Sequence, residues 1–486
     1  MSSLKKRGIK ALIWDLGGKV ATHSIGLAVT IVLARLLEPS EFGTIAIVMS
    51  VVGIASIFTD IGLGGALIQR KRVLQIHYNS VFYFNIVVGI ALTILFFSLS
   101  SSISIFYNIS ELGNIVKVLS VLFILGALAS VQMNYLRKNL QYHTISKSNV
   151  ISSMAGGVAG ISMAILHYGI WSLVYQIVVA KIFHVILLWR YGGWRPDVAF
   201  SWKALKQLWS FGFRMFIAGL LEHIYSKIDY LIIGKVMSMS SLGYFQRAKS
   251  LNGLVVHYSS SSLMSVLFPV LSKIQNNSAR FNRVVYKTLL LLSFIVFLMV
   301  GLLYVNANEI ILILFGEKWM ESVEIFRILA LTAYAYPISA LLVNIIGSRG
   351  NSKAFLILEI YKKIVETFTL SVLYFFDLET YLYTLVVQAF INGIVLNIYF
   401  SSKEIGMPIW NFYKPVMTQM LIVSTSIVAV EFIAFLYSHS LLLDLLWKSI
   451  LFLVLYFGLS LILSTESFGA FMQELKYIMK REWKDD

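Results

Sequence analysis

Thirteen of the chain's 40 basic residues lie inside long apolar stretches: Lys19, Arg35, Lys117, Lys181, Arg214, Lys227, Lys235, Arg247, Lys249, Arg327, Lys362, Lys363 and Lys448. A basic side chain at the centre of a bilayer costs about 2.5–3.5 kcal/mol even on the lenient insertion scale, so each needs a reason to be there. Arg35, Lys117 and Lys235 sit near the ends of their stretches and can extend to the headgroups. Lys362 and Lys363 have Glu359 and Glu366 at i,i+4 spacing, which predicts internal ion pairs. The rest must face protein or water. At 100° per residue, Asp15, Lys19, His23 and Thr30 share one helix face, and Arg214, Glu222, Tyr225 and Asp229 share another. Arg247 and Lys249 follow near the outer end of the next helix. A cavity with an excess of cations suits an anion: arginine takes phosphate as a fork and lysine as a point charge. Asp15, Asp60, Glu222 and Asp229 are carboxylates that could hold a coupling cation or proton. No catalytic constellation accompanies them. The eight histidines are scattered, there is no cysteine, and neither H-E-x-x-H nor G-x-x-x-x-G-K-[ST] occurs. The residues therefore predict no metal site, no cofactor and no enzyme.

The elements that position these residues follow from composition. Of 486 residues, 58% are hydrophobic and 13% charged, with a mean hydropathy of +0.79. Soluble domains carry about 25% charged residues, so a water-facing surface of ordinary size cannot be built. Runs long enough to cross a membrane recur throughout. They predict an all-α integral membrane protein of about fourteen spans, near 11–37, 43–68, 79–103, 113–136, 148–167, 170–189, 208–236, 243–270, 288–305, 322–347, 354–375, 380–400, 415–436 and 442–464. Too little chain remains for an extramembrane domain, which excludes a soluble enzyme, a receptor ectodomain and a nucleic-acid-binding protein. With the N-terminus inside, the cytoplasmic segments hold 26 basic residues and the outer segments only Lys318. That bias predicts both termini in the cytoplasm and explains most of the +16 net charge without a nucleic-acid partner. The first apolar run is too long for a signal peptide and reads as an uncleaved helix. Met472, Leu475, Met479 and Trp483 among Lys476, Lys480 and Arg481 suit an amphipathic tail on the anionic inner leaflet, a solvated polar tail being the other reading.

Two segments recur. Ile13–Lys19 aligns with Leu208–Arg214, placing Lys19 opposite Arg214, and Arg35–Gly43 aligns with Lys235–Gly243. Six crossings separate the copies, so both halves enter the membrane in one direction as parallel repeats. The predicted organisation is an N-lobe at 1–190, a basic linker at 191–207, a C-lobe at 208–402, two extra helices at 403–465 and a tail at 466–486. The two six-helix lobes would surround a central cavity. The pair Gly156-xxx-Gly160 signals close helix packing.

ARLLEPSEFGTIAIV (34–48), FTDIGLGGALIQRK (58–71), DYLIIGKVMSMSSLGYFQRAKSL (229–251), LFPVLSKIQ (267–275) and FGEKW (315–319) resemble the polysaccharide transporter family of the multidrug/oligosaccharidyl-lipid/polysaccharide exporter superfamily, and most of all its Wzx-type flippases. The resemblance implies alternating access in the bacterial cytoplasmic membrane. The implied substrate is a polyprenyl-diphosphate-linked oligosaccharide, carried from the inner to the outer leaflet for surface polysaccharide. It also implies pathway partners such as a polymerase and glycosyltransferases. Functional cations vary in position within that family, so only their role is carried over, onto Lys19 and Arg214. FGEKW is expected to shape an outer turn. The competing expectation is a cation-coupled drug or metabolite exporter of the same fold.

Overall fold

In the computed structural model the backbone is described for residues 2–436 and 440–485, and the side chains except those of 2–7, 9, 218, 254–266, 268–269 and 478–485. Among these residues there is no strand. The chain forms two compact units, Met1–Gly243 and Tyr244–Asp486. The first holds α1 (Ser2–Leu36), α2 (Pro39–Ser56), α3 (Leu63–Gln69), α4 (Gln75–Tyr107), α5 (Leu112–Leu119), α6 (Val121–Lys138), α7 (Tyr142–Ile165), α8 (Trp171–Tyr191) and α9 (Trp202–Val236); α10 (Met239–Ile274) runs across the division. The second holds α11 (Ser278–Val305), α12 (Ala307–Phe315), α13 (Glu321–Ala330), α14 (Ala335–Ser348), α15 (Ser352–Phe375), α16 (Leu378–Phe390), α17 (Asn397–Ile405), α18 (Ile409–Leu436), α19 (Leu441–Ile462) and α20 (Glu466–Asp485).

Eleven spans among the described residues are long and apolar enough to cross a membrane. The count of fourteen is not reached by that criterion. The three expected spans it leaves out lie on α9, α10 and α15. Arg214, Glu222, Lys227, Asp229 and Lys235 dilute the apolar character of α9, and Glu359, Lys362, Lys363 and Glu366 do so in α15. On α15 the pairs form, but at i,i+3: Lys362 meets Glu359 at 3.0 Å and Lys363 meets Glu366 at 2.7 Å. The i,i+4 expectation is corrected there, both spacings being open to neighbouring turns of one face.

The helices of the first unit start and stop where the sequence dictates. Pro39 opens α2, and Glu41 bonds back to the Glu38 amide at 2.7 Å to satisfy an otherwise free donor. Gly62 takes φ +69 in the turn that leads from α2 to α3. Asp60 in that turn accepts from Ser130 of α6 (2.8 Å), Asn85 of α4 (3.2 Å) and the Gly64 amide (3.1 Å), fastening three elements. The predicted linker at 191–207 is tied down as well: Gln132 donates to the Trp194 carbonyl at 2.7 Å, and Trp194 is buried among Tyr78, Phe82 and Trp189. This anchoring leads into α9, which packs on α2, α3 and α4. The aligned segments meet one another. A Cβ on Gly43 would strike the Met239 carbonyl, and one on Gly243 would strike the Pro39 carbonyl, so positions 200 apart touch reciprocally.

In the second unit α18 and α19 pack on α11. Gly301 admits the Phe452 ring, and the buried Tyr456 hydroxyl lies 2.7 Å from Gln419 Oε1. A residue pair at depth is closed by charge: Lys448 contacts Glu309 at 2.6 Å. FGEKW forms the turn between α12 and α13, with Gly316 at φ +90 and Phe315 and Trp319 buried beneath it. The tail is helical as α20 and packs on α11, placing Phe471 4.8 Å from Phe294 between ring centroids. Met472 is half-buried and Leu475 exposed, whereas the expected Met479 and Trp483 contacts lie outside the described side chains.

Candidate functional site

The run Gly156-Gly157-Val158-Ala159-Gly160 removes side chains from two sides of α7. A Cβ on Gly156 would stand 2.6 Å from Ala180 Cβ, and one on Gly160 would stand 2.8 Å from Gln176 Cβ, both on α8. A Cβ on Gly157 would collide with Val29 of α1. The glycines thus bring α8 and α1 onto α7 at a spacing only small residues permit. Beside this contact lies a cavity of about 680 Å³ within the first unit. Thr22 comes from α1, Asn149 and Ser152 from α7, and Gln176, Lys181 and His184 from α8. Ser56 at the end of α2, Thr59 in the turn just after it and Gly126 of α6 also line it. The residues from α1, α7 and α8 lie in the middle of their spans, Lys10–Leu36, Tyr142–Ile165 and Trp171–Tyr191. Among the described residues, Lys181 is the one Lys or Arg on the wall, and no carboxylate lines it. Thr22 Oγ1 and His184 Nε2 are buried atoms with no hydrogen-bond partner. The chamber therefore offers a positive charge and several hydroxyl and amide groups.

None of the residues singled out by the face argument lines this cavity. Lys19 Nζ lies 2.6 Å from Asp15 Oδ2, its side chain 54% exposed, so the leading cation of α1 is paired along its own helix. His23, Arg214 and Glu222 are exposed, and Tyr225 is half-buried. Asp229 is buried and accepts from the Tyr230 amide at 2.9 Å. Asp60 is the structural node already described, held by neutral donors. Arg247 is buried, its Nε donating to Gln246 Oε1 at 2.7 Å. The Lys249 ammonium lies 5.3 Å from the Phe245 ring centre. Sequence reasoning passes over Lys181 and His184, although a signal existed. They stand three apart on α8 with Gln176 one to two turns earlier, a polar stripe in an otherwise apolar span. No group of three or more His, Cys, Asp or Glu side chains that could hold a metal occurs among the described residues.

The chain matches the family described as "Polysaccharide biosynthesis protein" over residues 32–324, more than half its length. Among curated relatives it is similar to the succinoglycan biosynthesis transport protein ExoT of Rhizobium meliloti, 23% identical over 66% of this chain and 65% of that protein. The match thus spans just under two thirds of that relative. It is similar to the lipopolysaccharide biosynthesis protein WzxC of Escherichia coli, 24% identical over 70% of each. It is also similar to the teichuronic acid biosynthesis protein TuaB of Bacillus subtilis, 28% identical over 57% of this chain and 58% of that protein. Among solved structures, the lipid II flippase MurJ in an inward closed conformation superposes with a TM-score of 0.72 at 15% identity, covering 93% of this chain and all of that one. An inward-facing multidrug resistance MATE transporter of the MOP superfamily superposes with a TM-score of 0.60 at 14% identity, covering 83% of this chain and 96% of that one. These two likenesses concern the fold.

Proposed function

Because the chain belongs to the polysaccharide biosynthesis protein family, we propose that it is a flippase that carries a polyprenyl-diphosphate-linked oligosaccharide from the inner to the outer leaflet of the bacterial cytoplasmic membrane. The observation that carries this reading is the family match on a multi-pass helical chain whose relatives are named for succinoglycan, lipopolysaccharide and teichuronic acid. Both termini lie in the cytoplasm, where the basic loops are. Transport proceeds by alternating access, with the repeats 1–190 and 208–402 as moving parts, 191–207 as their connection, and 403–465 and 466–486 as appended helices. The product enters surface polysaccharide assembly beside glycosyltransferases and a polymerase. No chemistry on the substrate is needed, so the protein is a carrier and not an enzyme.

Lys19 and Arg214, exposed and equivalent in the two copies, receive the diphosphate, with Asp15, His23 and Tyr225 bordering them. Arg247 and Lys249 serve its outward release. For Lys19 to take an anion it must leave Asp15. The exchange trades one carboxylate oxygen for phosphate oxygens on the same ammonium, so the lysine keeps an anionic partner throughout. Outward movement of negative charge is favoured by an inside-negative potential at about 2.3 kcal/mol per charge per 100 mV. A coupling ion, where one is used, falls to Asp15, Asp60, Glu222 or Asp229. A deletion strain should accumulate lipid-linked oligosaccharide on the inner leaflet, and the wild-type chain should clear it. The double variant Lys19→Gln/Arg214→Gln should reach the membrane in normal amount and lower export at least about tenfold. Unimpaired export would remove the two residues from the substrate path. Failure of the wild-type chain to clear the accumulated lipid would remove the function.

A further inference from the structure

Two spans of the second unit lose their regular winding near mid-length, in opposite senses. In the span Glu321–Ser348, Pro337 has no N–H to give the Ala333 carbonyl. The turn before it is tightened: the amides of Leu331, Thr332, Ala333 and Ala335 donate to carbonyls three residues back. In the span Leu378–Ile405, the stretch Ile391–Leu396 between α16 and α17 is a widened, π-helical turn. The spacing of its faces gives the reason. Buried Tyr381 and Leu382 are followed twelve residues later by buried Gly393 and Ile394, as exposed Val387 is followed by exposed Tyr399. Three α-turns take about 10.8 residues, so each face carries about one residue too many, and a single wide turn absorbs it. The two irregular turns touch. A Cβ on Gly393 would stand 2.7 Å from Ala335 Cβ and 3.0 Å from Ala335 Cα. Asn397, at the start of α17, bridges them: its Nδ2 donates to Ser339 Oγ of α14 at 2.8 Å, and to the Asn392 and Gly393 carbonyls of the wide turn at 2.6 and 3.2 Å. The carboxamide oxygens of Asn392 and Asn397 and the Tyr334 hydroxyl are buried with no hydrogen-bond partner. A contact that only packs helices spends such groups; a joint with a second arrangement holds them for it.

We propose that the wide turn Ile391–Leu396 and the tightened turn at 331–334 form one joint, latched by Asn397, at which these two spans bend together. Winding surplus in one span faces winding deficit in the other, so a change of winding in either is taken up by its neighbour. Gly393 keeps the two backbones close enough for that exchange. That the bending belongs to a transport cycle rests on the flippase reading; the joint itself does not.

The test uses the full chain purified in nanodiscs, with amide exchange read segment by segment. In the wild type, residues 391–397 and 331–335 should exchange at least about tenfold faster than the regular parts of the same two spans. Deletion of Ile391 removes the surplus residue and should turn 391–396 into ordinary α-helix. Protection should then rise about tenfold or more in 391–397, and also in 331–335, which the deletion leaves intact. Unfolding temperature should hold, while clearance of lipid-linked oligosaccharide in a strain lacking the wild-type gene should fall at least about tenfold. Asn397→Leu serves where the deletion fails to fold: with the latch gone, exchange should quicken in both segments. Wild-type turns as protected as their flanks, or a response confined to the altered segment, overturn the joint. Normal export by a chain whose 391–396 turn has been made regular overturns its part in transport. A wild-type chain that clears no lipid, yet shows coupled exchange in the two segments, keeps the joint and removes the flippase reading.

Discussion

Charged side chains in this protein divide by what answers them. Asp60 is answered by a hydroxyl, an amide side chain and a backbone N–H, all donors and all neutral, so its carboxylate is worth more as an acceptor than as a charge. Converting it to an amide places an NH₂ against those donors. Asp60→Asn should therefore lower stability by about 1–3 kcal/mol, read from thermal unfolding in detergent. An unchanged unfolding temperature together with an altered ion dependence of export would mark Asp60 as a coupling site instead. Lys19 is answered by Asp15 four residues earlier, a pairing that the spacing made legible. Lys181 illustrates the opposite case. Its position in the apolar span of α8 was visible, but whether a partner stood opposite depended on α1, α2, α6 and α7, which no spacing on α8 could reveal. The three-residue interval to His184 was readable; the emptiness in front of both was not.

Helices here are held by small residues on one side and capped by charge on another. The Gly156-xxx-Gly160 signal was legible because only glycine lets backbones meet, and the structure uses that run on two neighbours, not one. The tail element is held to the second unit by Glu466, which accepts from Lys414 at 2.6 Å and from the Tyr286 hydroxyl at 2.5 Å, while Lys287 pairs with Glu474 further along α20. The hydrogen bond from Lys414, then that from Tyr286, holds the Glu466 carboxyl below its ordinary value of 4.5. A carboxyl whose folded value is depressed stabilises the docked helix above the ordinary value, and this is lost as pH falls through the depressed one. Docking of α20 should thus be constant near pH 7 and loosen below about pH 4.5, seen as lower amide protection in residues 466–477 relative to the intrinsic exchange rate at each pH. Glu466→Gln should show the faster exchange already at pH 7. Since Glu466 is about half exposed, the effect should stay local to α20.

At the scale of the whole chain, the Lys/Arg bias bears directly on the proposed orientation, and a sequence without cysteine makes that proposal easy to test. A single Lys318→Cys variant in intact cells should react with a membrane-impermeant maleimide, and a Lys203→Cys variant should react only after the membrane is opened. The reverse pattern would overturn the inside placement of the termini. Composition and periodicity alone determined that this is a helical membrane protein. They also gave most of its spans, because the cost of exposing polar backbone in hydrocarbon leaves helices as the remedy for apolar runs of that length. Tertiary structure decided the rest. Which intramembrane charges are spent on neighbours, and which face an open chamber, depends on helices that lie far apart in the chain and close together in space. A sequence records the charge and its helical face, but the partner is set by packing. That is why Asp15, Lys19 and Asp60 turned out to be answered and Lys181 and His184 came to wall a cavity.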